Sequence, residues 1–334
     1  MISTFITTVS GTQITVMHGA PDVADVDIYL TAPSDPLTSV TPIDAAFGDV
    51  AGPVSLAAGT EYRVRITPDG SDTVVYDSGT VTFNEGDDLL IAAVENTTGI
   101  GDNPVNLLAI NATGRAELFD ASTGAEVRVV HNSADTPEVD ILVNGAEVLD
   151  AVPFPVNSNY SDIAALAGTY NIVVAADADN SIAPINVDVP LETAMSYTAI
   201  AIGGLNSVTD NTLELLLTTD DRRDLATAAK LRVVHGSYAV AESIPVDVYL
   251  TATDDISSAT PAITSLAYGQ FTDEIQVAPG MYFVTVTVAG DASTVAFAAG
   301  PLDLQAAVNY TVIARDPSAM ETGSPLILAT ILTD

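Results

Sequence analysis

All three histidines of the chain sit in one local pattern, and that recurrence constrains the fold more than any other feature. Ile14-Thr-Val-Met-His18-Gly-Ala, Val127-Arg-Val-Val-His131-Asn-Ser and Leu231-Arg-Val-Val-His235-Gly-Ser align without gaps. Each leads into an acidic strand signature whose Asp27, Asp140 or Asp247 lies nine, nine and twelve residues beyond its histidine. Further on, Gly59, Gly168 and Gly280 each precede a tyrosine, Tyr62, Tyr170 or Tyr282, that opens an alternating segment. A period of this length marks one supersecondary plan used three times. The polar stretches between copies place repeats at 1–120, 121–226 and 227–334, sizes that each suit one core.

Within a repeat the apolar period is two. Val26, Ile28 and Leu30 share one face while Asp27, Tyr29 and Thr31 share the other, which is the pattern of a half-buried strand. Asn144-Gly145, between two apolar runs, is a two-residue hairpin signal because such turns need positive φ at both central positions. Asp69-Gly70 and Gly290-Asp291 mark corresponding turns in repeats 1 and 3. Short strands at roughly 10-residue spacing predict an all-β chain of three tandem antiparallel β-sandwich domains. Only 221–230 leaves room for a turn or two of helix. Repeats 1 and 3 carry polar inserts, Thr31 to Pro42 and Thr251 to Pro261, where repeat 2 has its tight turn; such loop tips are expected to be the recognition elements of a sandwich.

The chain has 44 acidic against 9 basic residues, a net charge of -35, yet it is 48% apolar, so it is folded rather than an acidic tail. That field repels phosphate backbones and anionic headgroups, which argues against nucleic acid as a partner. Cysteine is absent, removing disulfides and thiolate chemistry, and no apolar stretch is long enough for a transmembrane segment. Met1 to Val16 lacks an export signal, so the protein is expected either to stay inside the cell or to be a processed or truncated form.

The histidine and aspartate of each copy invite a catalytic or metal reading, but parity opposes it. His18 is in phase with the core residues Ile14 and Val16, and Asp27 is in phase with Tyr29 on the other side of its strand. The three histidines are therefore read as structural, bonded to nearby backbone at the edge of each core. Tyr62, Tyr170 and Tyr282 are read as tyrosine corners, and the outward parities of Tyr29, Tyr249 and Phe283 keep a sugar platform as the rival. Asp77-Ser-Gly-Thr80 matches the aspartic protease tetrapeptide without the second copy which that chemistry requires. The acidic turns Asp69 to Asp72, Asp87-Asp88, Asp177 to Asn180 and Asp254-Asp255 lack calcium-loop spacing and read as solvated turns. No catalytic, cofactor-binding or metal residue is assigned, and the chain is expected not to be an enzyme.

Arg-Val-Val-His-x-Ser, then Val-Asp-Val-Tyr-Leu, then Pro-Gly-x-Tyr-x-Val resembles the signature of domain of unknown function family 4397, three times over. Repeats 2 and 3 match best; repeat 1 departs at Met17, at Ala20 and by one extra residue before Tyr62. The resemblance implies immunoglobulin-like domains in tandem, in exported or surface-displayed proteins of bacteria and archaea, with no catalytic residues to carry over. The expected function is a noncatalytic cell-envelope or surface protein with a structural, adhesive or assembly role. The alternative is a glycan- or calcium-binding module using the loops of repeats 1 and 3. Self-association through edge strands is a further expectation, since Met1 to Gly11 is an uncharged, β-prone segment with Ile2, Phe5 and Ile6 among threonines, and the last strand, Leu326 to Leu332, has no repeat to follow it.

Overall fold

Period-two patterning and closely spaced turns produce strands almost exclusively. The computed structural model describes residues 11–165, 168–205, 212–238, 244–318 and 328–333, and among these it contains no α-helix, only one short 3-10 turn at Leu37–Ser39. The stretch 221–228 is irregular rather than helical, and Met1 to Ser10 lies outside the described residues.

Each repeat is a pair of sheets. In repeat 1, one sheet runs β4 (Val50–Leu56), β1 (Thr12–His18), β7 (Asp88–Glu95), β8 (Val105–Asn111), β9 (Gly114–Leu118), and the other β3 (Ile43–Ala45), β2 (Val26–Thr31), β5 (Glu61–Pro68), β6 (Tyr76–Thr82). Repeat 2 has β13 (Ser161–Ile163), β10 (Ala125–His131), β16 (Ser196–Ile202), β17 (Glu214–Asp220) and β12 (Ala146–Val152), β11 (Val139–Val143), β14 (Tyr170–Ala176), β15 (Ile185–Val189). Repeat 3 has β21 (Ile275–Val277), β18 (Ala229–His235), β24 (Asn309–Arg315), β25 (Leu328–Thr333) and β20 (Ile263–Leu266), β19 (Val246–Thr251), β22 (Gly280–Val288), β23 (Asp291–Leu304). The sheets enclose apolar cores, built for example from Ile14, Ile28, Ile66 and Ile91 in repeat 1 and from Leu231, Val248, Val286 and Val312 in repeat 3.

One pairing departs from the antiparallel expectation. The histidine strand of each repeat runs parallel to its neighbour, with His18 opposite Ala93, His131 opposite Ala201 and His235 opposite Ala314. Between these partners the chain visits the other sheet, which supplies the long connection that a parallel pair requires. The hairpin at Asn144-Gly145 forms as its turn chemistry demands, with φ of 52° and 79°. The last strand, β25, pairs antiparallel with β24 and so completes the sheet of its own repeat.

The chain forms two compact units. The first is Met1–Ala125 with Asp162–Ala165 and Glu192–Ala194; the second holds the rest of repeat 2 together with repeat 3, Glu126–Ser161, Leu166–Leu191 and Met195–Asp334.

Candidate functional site

His18, His131 and His235 end their strands in equivalent positions and are essentially fully buried. The ring of His18 bonds through Nε2 to the carbonyl of Ala24 at 3.1 Å, and that of His131 to the carbonyl of Pro137 at 3.0 Å. The backbone N–H groups of Ala20 and Ser133 approach the respective Nδ1 atoms at 3.4 Å, so a neutral ring with its proton on Nε2 satisfies both contacts. Each ring thus ties its own strand to the connection that crosses to the second sheet. Both ring nitrogens of His235 are buried without a partner among the described residues; the segment 239–243 that follows lies outside them. Burial lowers the His131 pKa and pushes that of His235 down to about 4, because an imidazolium would lose its hydration there. Each ring also meets an aromatic edge: Phe47 at 6.3 Å, Phe154 at 6.0 Å and Tyr268 at 6.1 Å between centroids.

Asp27, Asp140 and Asp247 are buried too, although they lie on the outer face of their strands. Their carboxylates accept backbone N–H groups: Gly70 on Asp27 at 3.1 Å, Ala151 on Asp140 at 2.9 Å, Ser265 and Gly290 on Asp247 at 2.8 and 2.9 Å. Ala151 and Ser265 have φ of 51° and 53° where their strands shift register, so the aspartate holds an irregularity in place. No hydrogen bond or ion pair joins a signature histidine to a signature aspartate among the described residues. Two triads of carboxylates, Asp27 with Asp44 and Asp69, and Asp140 with Asp150 and Asp177, bring ligand atoms within 4.8 Å of one another. In each, two of the three members are exposed acidic residues. Oxygen donors of this kind suit a hard cation, and they also suit plain hydration.

The tyrosine hydroxyl of Tyr62 accepts from the N–H of Ala57 at 3.0 Å, and that of Tyr282 donates to the carbonyl of Ala278 at 3.0 Å. Tyr170 is buried at the matching strand start. Gly59, Gly168 and Gly280 lie just ahead of these rings, at or next to the strand starts. Tyr29 and Tyr249, outward by parity, are also buried, and Phe283 is half-buried. In repeat 1 the insert itself lies over that face: Arg65 donates to Thr31 Oγ1 and to the Asp35 carbonyl, each at 2.6 Å, and Arg63 to the Pro33 carbonyl at 3.2 Å. The first part of the repeat 1 insert, Thr31 to Asp35, is therefore tied to its own sheet. Asp77 belongs to the same construction. Burial by itself would raise its carboxyl, but the Arg63 guanidinium and the Gly79 N–H hold it below its ordinary value.

The densest polar constellation lies between repeats 2 and 3, within the second unit. The outer faces of the two histidine-strand sheets pack on each other, with Val130, Ile200 and Ile202 against Val234, Ile313 and Leu332, none more than 2% exposed. Around this patch, buried Arg232 pairs with Asp220 and Glu274, and Lys230 reaches Glu274 at 3.2 Å. Tyr160 donates to Asp220 at 2.9 Å and lies between the guanidinium groups of Arg128 and Arg222, 4.6 and 4.3 Å from its ring centre. Arg222 in turn pairs with Glu126, and Arg315 of repeat 3 stacks on Phe154 of repeat 2 at 5.2 Å. At the strand ends Asn132 donates to the carbonyl of Gly236 at 3.2 Å; a Cβ at Gly236 would lie 2.6 Å from that amide nitrogen. Five of the nine basic residues are buried, Arg65, Arg128, Lys230, Arg232 and Arg315, so much of the chain's scarce positive charge serves internal contacts. Strand parity by itself would leave these faces in solvent. The signal against it is the run Tyr197-Thr-Ala-Ile-Ala-Ile202, apolar on both parities, as a strand covered on both sides should be.

A family model described as Domain of unknown function (DUF4397) matches residues 12–117 and 125–249. The two matches cover repeat 1, repeat 2 and the opening strands of repeat 3. None of the curated proteins matches. Among solved structures, one described as the Bacillus anthracis TIE protein aligns over 91% of this chain at 10% identity. Its TM-score is 0.19 and the alignment spans half of that longer chain, a likeness too low to carry an argument. Among the described residues no helix is long and apolar enough to cross a membrane.

Proposed function

We propose, from the premise that this chain belongs to the DUF4397 family, that it is a noncatalytic structural module of the cell exterior, a spacer or assembly element rather than an enzyme. One observation carries this reading: the side chains with chemical potential are spent on architecture. The signature carboxylates are occupied by backbone N–H groups, the rings of His18 and His131 by backbone carbonyls, and the buried cations by carboxylates or aromatic faces. A chain with net charge -35 is also repelled by an anionic envelope, which suits a module held away from it.

Antibody labelling and protease shaving of intact cells test the location, with the protein expected to be labelled and cleaved without lysis. Labelling only after lysis would remove the reading. The glycan- or calcium-binding alternative rests on the carboxylate triads and on half-buried Phe283. Calorimetric titration of the chelator-stripped protein with calcium chloride, beside a glycan array, separates the two; saturable heat or array binding would favour the alternative.

A further inference from the structure

The paired faces of repeats 2 and 3 leave the third member of the set unmatched. Superposing the strand registers puts Met17 of repeat 1 where Val130 and Val234 stand, Ala92 where Ile200 and Ile313 stand, and Val94 where Ile202 stands. On the next strand Leu108 takes the place of Leu216, and Ile110 the place of Leu332. Every one of these positions is apolar in repeat 1. In repeats 2 and 3 the central residues of the face are at most 2% exposed, whereas in repeat 1 Met17, Val94 and Ile110 are only half-buried, as is Leu108 like its counterpart Leu216; Ala92 is 6% exposed and the neighbouring Val50 on β4 is 61% exposed. We infer that this face of repeat 1 is a self-association surface, occupied by the same face of a second copy of the chain.

Charge selects a second copy over a different partner. Repeats 2 and 3 present different faces to each other, so they can match Arg232 of repeat 3 with Asp220 of repeat 2. Two identical faces meeting about a two-fold axis bring like residues close to one another, and a charge near the axis would oppose itself. Where repeats 2 and 3 carry Glu126 and Arg128, or Lys230 and Arg232, repeat 1 carries Gln13 and Thr15, both neutral. The four strands that carry the apolar positions, about 4.8 Å apart and some seven residues long, give a face roughly 15 by 20 Å, bordered by Asp88 at the start of β7 and by Arg115 and Glu117 on β9, a size that suits a reversible dimer rather than an obligate one. The association uses a sheet face and leaves strand edges untouched. It depends on the pairing geometry of the second unit and not on cellular location, so its failure would leave the proposed function standing.

Sedimentation velocity of the intact chain from about 1 to 200 µM, in 0.5 M salt to screen the net charge, should show reversible doubling of the 34.4 kDa mass, with a dissociation constant in the micromolar range. Leu108→Lys should weaken it at least about tenfold with little change in melting temperature. Because the chain has no native cysteine, Met17→Cys gives a single thiol, which a short bifunctional maleimide should cross-link into dimers. Ile182→Cys, on a 57% exposed site of repeat 2, is the control and should not cross-link. A monomer at every concentration overturns the proposal, as does association that Leu108→Lys leaves intact. A Met17→Cys thiol that is unreactive in the native monomer overturns it as well, since the face would then be covered within its own chain.

Discussion

On the strand that ends in histidine, the outward positions read Glu126, Arg128 and Val130 in repeat 2, Lys230, Arg232 and Val234 in repeat 3, and Gln13, Thr15 and Met17 in repeat 1. The inward positions are nearly interchangeable among the three. The core of the sandwich therefore follows one plan, while the outer face distinguishes the copies. Repeats 2 and 3 add charges of opposite sign around an apolar centre, and those charges are buried with their partners. Burying such pairs is costly in desolvation and gains little stability over an apolar contact, but a misaligned arrangement would strand an unpaired charge. The charges thus favour a single register between repeats 2 and 3. Repeat 1, with no charge at these positions, retains an apolar face without a register device.

The comparison is broken most sharply at matched positions. Val130→Glu buries a carboxylate at the centre of the paired faces and should destabilise the second unit by about 3 to 5 kcal/mol, whereas Met17→Glu, on the half-buried counterpart, should cost under about 1 kcal/mol. Thermal melts of the two variants side by side check this; equal losses would mean that the faces do not differ. Arg232→Met should cost about 3 kcal/mol, because Asp220 and Glu274 lose the guanidinium between them. Adding Asp220→Asn should restore part of that loss, and urea titration of the single and double variants reads the difference.

A smaller effect comes from acid. The unfolded chain takes up protons on histidine near pH 6.5, whereas in the folded second unit His235 does so only near 4 and His131 is shifted in the same direction. The stability these rings contribute is present above pH 6.5 and is lost as the pH falls toward 4, by at most about 1.4 kcal/mol per pH unit and histidine. His235→Gln should flatten the slope of melting temperature against pH between 6.5 and 5. An unchanged slope would mean that this ring is not held neutral by burial.

These contrasts also show what can be read from a single sequence. Period two at Val26, Ile28 and Leu30, and the Asn144-Gly145 turn, were sufficient to place strands and hairpins, because both depend on local geometry alone. Burial of His18 followed from its phase with Ile14 and Val16. Parity, however, says which side of a strand a residue occupies and not what covers that side. Asp27 and Tyr29 were outward and yet buried, since in this repeat the insert returns over the sheet, held by Arg63 and Arg65. The parallel partner of each histidine strand was also hidden, as strand order is a tertiary property. The aromatic edges on His18 and His235 did have a local trace, in Ala46-Phe47-Gly48 and Ala267-Tyr268-Gly269, whose role becomes evident only once the rings are placed together.

The central claim is that repeats 2 and 3 are joined by their outer sheet faces into one cooperative body, whereas the matching face of repeat 1 remains partly exposed. Differential scanning calorimetry of the dilute intact chain addresses it directly. Because unfolding enthalpy scales with the number of residues, the account predicts two transitions, one with close to twice the enthalpy of the other, corresponding to repeats 2 and 3 together and to repeat 1. Three transitions of similar enthalpy, with repeats 2 and 3 melting separately, would contradict it.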